Sequence, residues 1–190
     1  MGLLDTLLGR TKPVPPNLDA LFALPSAAIT LQAATDFTPT GTGSVCFRAA
    51  EGRAFSDIEK DVKDLLSMGQ NKTAVEITSD SYGFTWLVCK HTPEDIEGLV
   101  TDLHAVNSSL EAGGFGPLLL CTILGFRDSS DRRLGLVYLY KRGSFYPFVP
   151  QAGERRDNAA EIQVRGVLGN DLKIEPDLGR WFPVWGAPGL

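Results

Sequence analysis

The sequence predicts an α+β domain in which helices cover an antiparallel sheet, and three observations carry that expectation. Short runs rich in β-branched and aromatic residues recur along the chain, two of them joined by turn-forming residues. Segments with apolar residues at helical spacing stand between them, each behind a capping signal. Hydrophobic residues make up 43% and charged residues 22% of 190 residues, which suits one buried core and excludes global disorder.

Taken in order, residues 1–16 form an appendage and residues 17–190 a single α+β domain. Leu3, Leu4, Leu7 and Leu8 make a short amphipathic segment, and Arg10 to Pro16 is a proline-rich linker that cannot continue a helix. Asn17 is placed to cap a short helix, Leu18 to Leu24, that Pro25 is expected to end. Residues 26–37 fit a helix or a strand. Pro39 to Gly43 (PTGTG) reads as a loop, and Ser44 to Arg48 as a strand.

Ser56 to Glu59 is a capping box opening a helix with Ile58, Val62, Leu65 and Leu66 on one face. Thr73 to Thr78 and Phe84 to Lys90 form a hairpin around a Ser-Asp-Ser-Tyr-Gly turn. Thr92 is expected to cap the next helix, with Pro93 in its first position. Ile96, Leu99, Val100, Leu103, Val106 and Leu110 then line one face until Gly113-Gly114 stops the helix. Leu118 to Phe126 is almost continuously apolar, as a strand covered on both faces should be. Leu134 to Tyr140, Phe145 to Val149 and a helix over Asp157 to Leu168 follow. The tail, Glu175 to Leu190, gathers Trp181, Phe182 and Trp185 among glycines and prolines.

The resulting order is βαββαβ, then ββα. It matches a ferredoxin-like split βαβ core with an added β-hairpin and a C-terminal helix; the alternative is a secretion-chaperone-like α+β arrangement of similar elements. The sequence leaves the strand order open.

Residues that do chemistry are scarce. There are two histidines, His91 and His104, and three cysteines, Cys46, Cys89 and Cys121. Cys89 and His91 share a strand face, but a tetrahedral metal site needs further ligands, so the structural reading is preferred. The clusters Gly41-Thr-Gly43 and Gly113-Gly-Phe-Gly116 lead into strands, whereas a phosphate cradle opens a helix. No nucleophile is paired in sequence with a base, so no catalytic, cofactor or metal residue is assigned and the chain is read as a non-enzyme. A net charge of −5 without a basic stripe argues against nucleic acid. An odd number of cysteines in apolar runs indicates buried, reduced thiols and a cytoplasmic location. The N-terminus is too short and acidic for a secretory signal, and no apolar run of about 18 residues spans a membrane.

Contact with a partner is the remaining activity. Leu3, Leu4, Leu7 and Leu8 at one end, and Trp181 and Trp185 at the other, are the candidate partner-binding residues. The leucines are as well suited to packing on the protein's own core, and tryptophans near a C-terminus more often close a core than bind a partner.

The strings MGLLDTLLGR (Met1 to Arg10), NLDALFALPSAAITL (Asn17 to Leu31) and VCFR (Val45 to Arg48) resemble the PspA-associated protein PspAB family. That resemblance implies an accessory role beside phage-shock protein A in envelope-stress signalling and supplies no catalytic residues. Met1 to Thr6 also fits a myristoylation pattern, which the bacterial resemblance sets aside. The expected function is therefore a cytoplasmic adaptor acting by protein–protein contact, with a PspA-like coiled coil as partner and at most peripheral membrane contact. A chaperone-like module binding peptide at a sheet edge, or a small hydrolase or transferase, is the alternative. Thiol titration of the native protein should find little reaction, and denaturation should release all 3 equivalents.

Overall fold

The computed structural model describes residues 16–48, 56, 60, 64 and 75–190. A 3-10 turn, Leu18–Ala23, runs without a break into helix α1, Leu24–Ala34. Pro25, expected to end a helix, instead sits in the first turn of α1, where a missing N–H breaks no helical bond. Asn17 makes no side-chain cap. The residues that fit helix or strand equally are thus helical to Ala34, with Leu24, Ala27, Ala28 and Leu31 buried at three- and four-residue spacing.

Strand β1, Thr38–Arg48, takes in the segment Pro39 to Gly43 that was expected to be a loop. Its pairing slips between Pro39 and Gly43, so the glycines and proline serve a bulge within the strand. Gly41 has φ +75°, and a Cβ there would lie 2.3 Å from the His91 carbonyl oxygen, so only glycine fits. Beyond β1, Ser56, Lys60 and Asp64 are helical and exposed. Ile58, Val62, Leu65 and Leu66, the expected buried face of that helix, lie outside the described residues, as do Leu3, Leu4, Leu7 and Leu8.

The hairpin β2, Glu76–Ser79, and β3, Phe84–Lys90, turns on Asp80, whose carboxylate accepts the Tyr82 and Phe84 N–H groups. Helix α2, Ile96–Ala112, is capped by Asp95 rather than Thr92; the Asp95 carboxylate accepts the Gly98 N–H at 3.0 Å. Leu99, Val100, Leu103, Val106 and Leu110 are buried as the spacing predicts, and Ile96 is half-buried. Strands β4, Leu119–Arg127, β5, Arg133–Leu139, and β6, Ser144–Phe148, follow as successive hairpins. A two-residue pair, β7, Pro150–Gln151, and β8, Arg155–Arg156, leads to α3, Asn158–Leu168, capped by Asp157.

The six long strands form one sheet in the order β2-β3-β1-β4-β5-β6, with every neighbouring pair antiparallel. Helices α1, α2 and α3 cover one face: α2 lies on β1, α3 lies against β6, and α1 packs against both helices. The other face, with Trp86, Val88, Ile123, Val137 and Phe148 inward, is covered by the tail through Trp181, Val184, Trp185, Ala187 and Leu190. Gly125 and Gly135 stand opposite each other on β4 and β5. Their bareness admits the end of the tail: a Cβ on Gly135 would meet the Leu190 side chain at 3.0 Å, and one on Gly125 the Gly189 carbonyl at 3.1 Å. The edge of β6 is closed by residues 173–175, since Phe145 N donates to Lys173 O and Glu175 N to Phe145 O.

Leu103 is fully buried, and a Cβ on Gly43 of β1 would lie 2.6 Å from its Cδ1, so helix and sheet touch here with no spare room. Leu103→Ala should cost about 2–5 kcal/mol in a urea unfolding titration. A loss under about 0.5 kcal/mol, the scale of a surface change, would contradict this packing.

Candidate functional site

The tail covers only part of the second face and leaves a groove of about 660 Å³ beside it. Its floor comes from alternate strand residues: Cys46 on β1, Trp86 on β3, and Cys121 and Leu139 on β4 and β5. Its wall is Tyr146 together with Phe182, Val184 and Trp185 of the tail. Cys46 and Cys121 are directly paired across β1 and β4. The neighbouring Cys121 thiol, as a hydrogen-bonding partner, and then burial hold the Cys46 thiol well above the usual thiol range. All three cysteines are free and buried; Cys89 lies on the helix side, where burial and then the charge of Asp102 push it up to about 12.

Buried polar groups fix the irregular wall. Arg156 donates to Glu161 Oε1 at 2.9 Å and to the Trp181 carbonyl, and its guanidinium lies 5.1 Å over the Phe148 ring. The Tyr146 hydroxyl donates to the Phe182 carbonyl at 2.7 Å, and the Trp181 indole to the Glu175 carbonyl at 3.0 Å. The Glu175 carboxylate accepts from Arg142 and Ser144; these bonds outweigh its burial and hold its carboxyl below the ordinary range. Of the two tryptophans singled out from the sequence, Trp181 is buried at 5% exposure in this network. Trp185 is half-buried on the groove wall, edge-on to Phe148.

Sequence reasoning missed the groove's charged end. Arg48 pairs across to Phe84, Phe47 pairs with Leu119 and Cys121 with Leu139, so Arg48, Leu119 and Lys141 share one end of the sheet. Strand parity contains the signal: Arg48 is two residues from Cys46, and Lys141 two from Leu139.

On the helix side a second groove, of about 600 Å³, lies between α1 and the start of α2. Pro25, Ala28, Ile29, Pro93 and Ile96 line it. Ile29 is 72% exposed, and Phe22, one turn before α1, is 50% exposed with its ring 4.7 Å from that of His104.

Beside it, His91 donates from Nδ1 to Asp95 and from Nε2 to Asp102, each at 2.7 Å, with its side chain only 4% exposed. Both ring nitrogens are engaged by carboxylates, and the neighbouring Cys89 belongs to the apolar core. Among the described residues no group of three or more His, Cys, Asp and Glu side chains is placed to hold a metal ion. Burial alone would lower the His91 pKa; the bonds to Asp102 and Asp95 outweigh it and raise it above 6.5. Asp95 is held below 3.8, first by His91 and then by the Gly98 N–H.

The signs follow. The raised His91 contributes stability that is fully present below its unfolded value of 6.5 and is lost as pH rises through the folded value. The depressed Asp95 contributes above 3.8 and loses it as pH falls. The stability gap between wild type and His91→Gln should therefore be largest near about pH 6 and shrink toward about pH 9, read by urea unfolding. A gap that grows with pH would overturn the clamp.

A family model described as PspA associated protein B matches residues 1–189, and the chain belongs to that family. No curated protein and no solved structure matches it. Among the described residues, no helix is long and apolar enough to cross a membrane.

Proposed function

From that membership we propose that the protein is a non-enzymatic adaptor of the PspA-type envelope-stress response, working in the cytoplasm by protein–protein contact. The family match over 1–189 carries the reading, because the family's description, PspA associated protein B, names association with PspA. The contact surface is the helix-side groove with its exposed Ile29 and Phe22. A coiled-coil helix of the partner supplies the apolar stripe that such a groove takes. The leucine segment, Leu3 to Leu8, joins the domain just before this surface, at Pro16 and Asn17, and adds a second anchor.

Support for action by contact rather than turnover comes from how the carboxylates are used. The buried Asp128, Glu161 and Glu175 are tied to Arg132, Arg156 and Arg142, and Asp95 and Asp102 to His91. A general base needs a carboxylate oxygen free to take a proton from a substrate, and these carboxylates accept internal hydrogen bonds instead.

Purified protein should bind the PspA encoded in the same genome in a surface-capture assay. Ile29→Asp and deletion of residues 1–10 should each weaken binding by roughly tenfold, the scale of one interface anchor, with the melting temperature nearly unchanged. Wild-type protein that does not bind PspA would sink the reading; a deletion that lowers the melting temperature by many degrees would place the leucines in the core.

A further inference from the structure

The groove on the tail side combines a hydrocarbon interior with two cations at one end that have no carboxylate partner among the described residues. Inside, its side chains are the Trp86 ring, Leu139, Val184, Trp185 and the two thiols. The two free thiols face each other across β1 and β4, the Tyr146 hydroxyl is given to the Phe182 carbonyl, and the Trp86 indole N–H to Asp80 at 2.8 Å. A sugar or nucleotide entering here would bury several polar groups with nothing to bond, which costs too much to bind; a hydrocarbon chain would not.

The charged end is different. Arg142 is spent on Glu175, and Asp80 on the Trp86 indole and the Tyr82 and Phe84 N–H groups. Arg48 has no carboxylate partner among the described residues, and Lys141 reaches only the Pro117 carbonyl, at 3.0 Å. Both are exposed. With only β4 between them, their strands are about 10 Å apart, so two long side chains can close on one head group. The Asp80 carboxylate lines the same groove and keeps its charge, since its partners are neutral N–H groups, but Arg48 and Lys141 outnumber it and leave an excess of positive charge at the mouth that selects an anionic end.

We propose that this groove binds a single-chain anionic amphiphile. The acyl chain runs over Cys46, Cys121 and Leu139 against Trp185, and the carboxylate or phosphate head sits between Arg48 and Lys141. A volume of about 660 Å³ falls within the range of small-molecule sites. The site lies on the opposite side of the sheet from the partner surface proposed above and does not depend on that reading.

The test is titration of the full chain with sodium dodecanoate below its micellar concentration, followed by calorimetry and tryptophan fluorescence. Dodecyl phosphate, methyl dodecanoate and dodecyltrimethylammonium are the comparison probes. One-to-one binding of the carboxylate or the phosphate is expected, with the ester and the cation at least tenfold weaker, and the stronger anion identifies the head group. Arg48→Ala with Lys141→Ala should weaken the anion tenfold or more and leave the ester unchanged, and these exposed changes spare the fold. Cys121→Phe, which fills the floor, should remove binding of every chain. No saturable binding by folded wild type, equal binding of acid and ester, or binding untouched by the double variant would overturn the proposal. So would an acidic peptide that binds at Arg48 and Lys141 where dodecanoate does not.

Discussion

Arg156 joins three structural parts of the chain: helix α3, the sheet edge and the tail. It pairs with the buried Glu161 of α3, lies over Phe148 of β6, and donates to the Trp181 carbonyl of the tail. Glu161 in turn accepts the Val149 N–H, which fixes the chain just beyond β6. The sheet needs this knot because both of its faces are apolar and only one is covered by helices. A segment with no strand and only a 3-10 turn, Leu178–Arg180, covers the other, and its buried carbonyls have no ladder to satisfy them. Each left unpaired costs about 1–3 kcal/mol. Arg156, Tyr146 and the Trp181 indole are the side-chain donors that meet this need.

The groove follows from where those donors stand. The tail is pinned at Glu175 beside β6, at Trp181 over Tyr146, and at Leu190 in the trough between Gly125 and Gly135. All three pins lie over β4 to β6 or beyond, so the ends of β1, β4 and β5 near Arg48 and Lys141 stay uncovered. The apolar parity of those strands does not stop where the tail does. Cys46 and Leu139 face outward from the sheet just before each strand ends in a cation, which gives the groove an apolar floor and a charged mouth at once.

The fold's regular parts were legible because their patterns are local. Phe84 to Lys90 is a strand with the bounds its β-branched and aromatic run implies, and the apolar face of α2 is the one its spacing gives. Pro25 and Pro39 to Gly43 misled because proline and glycine mark a change of backbone without saying which change. Pro25 is as well suited to a helix start as to a stop, and the Gly41 conformation serves a bulge as readily as a loop. The cap moved from Thr92 to Asp95 because Asp95 also answers His91, a contact that sequence spacing alone does not reveal. The role of the tail was least legible. Trp181 and Trp185 are four residues apart in one irregular segment, yet one closes the core and the other walls a groove. That division is set by long-range bonds to Arg156, Tyr146 and Phe148.

Floor and wall of the groove are held by different physics. Cys46 lies between Val45 and Phe47, both fully buried in the helix-side core, so the floor cannot shift without disturbing the packing of that core. The ladder hydrogen bonds of β1 with β3 and β4 fix it further. The wall has no ladder: Phe182, Val184 and Trp185 are placed by one hydroxyl bond, one guanidinium bond and the edge contact of Trp185 with Phe148. Fewer bonds per residue mean a lower cost of local opening, so adjustment to an occupant falls on the wall rather than the sheet. Because the same Arg156 also ties α3, whose other neighbours are α1 and β6, the wall and the helix side share one anchor.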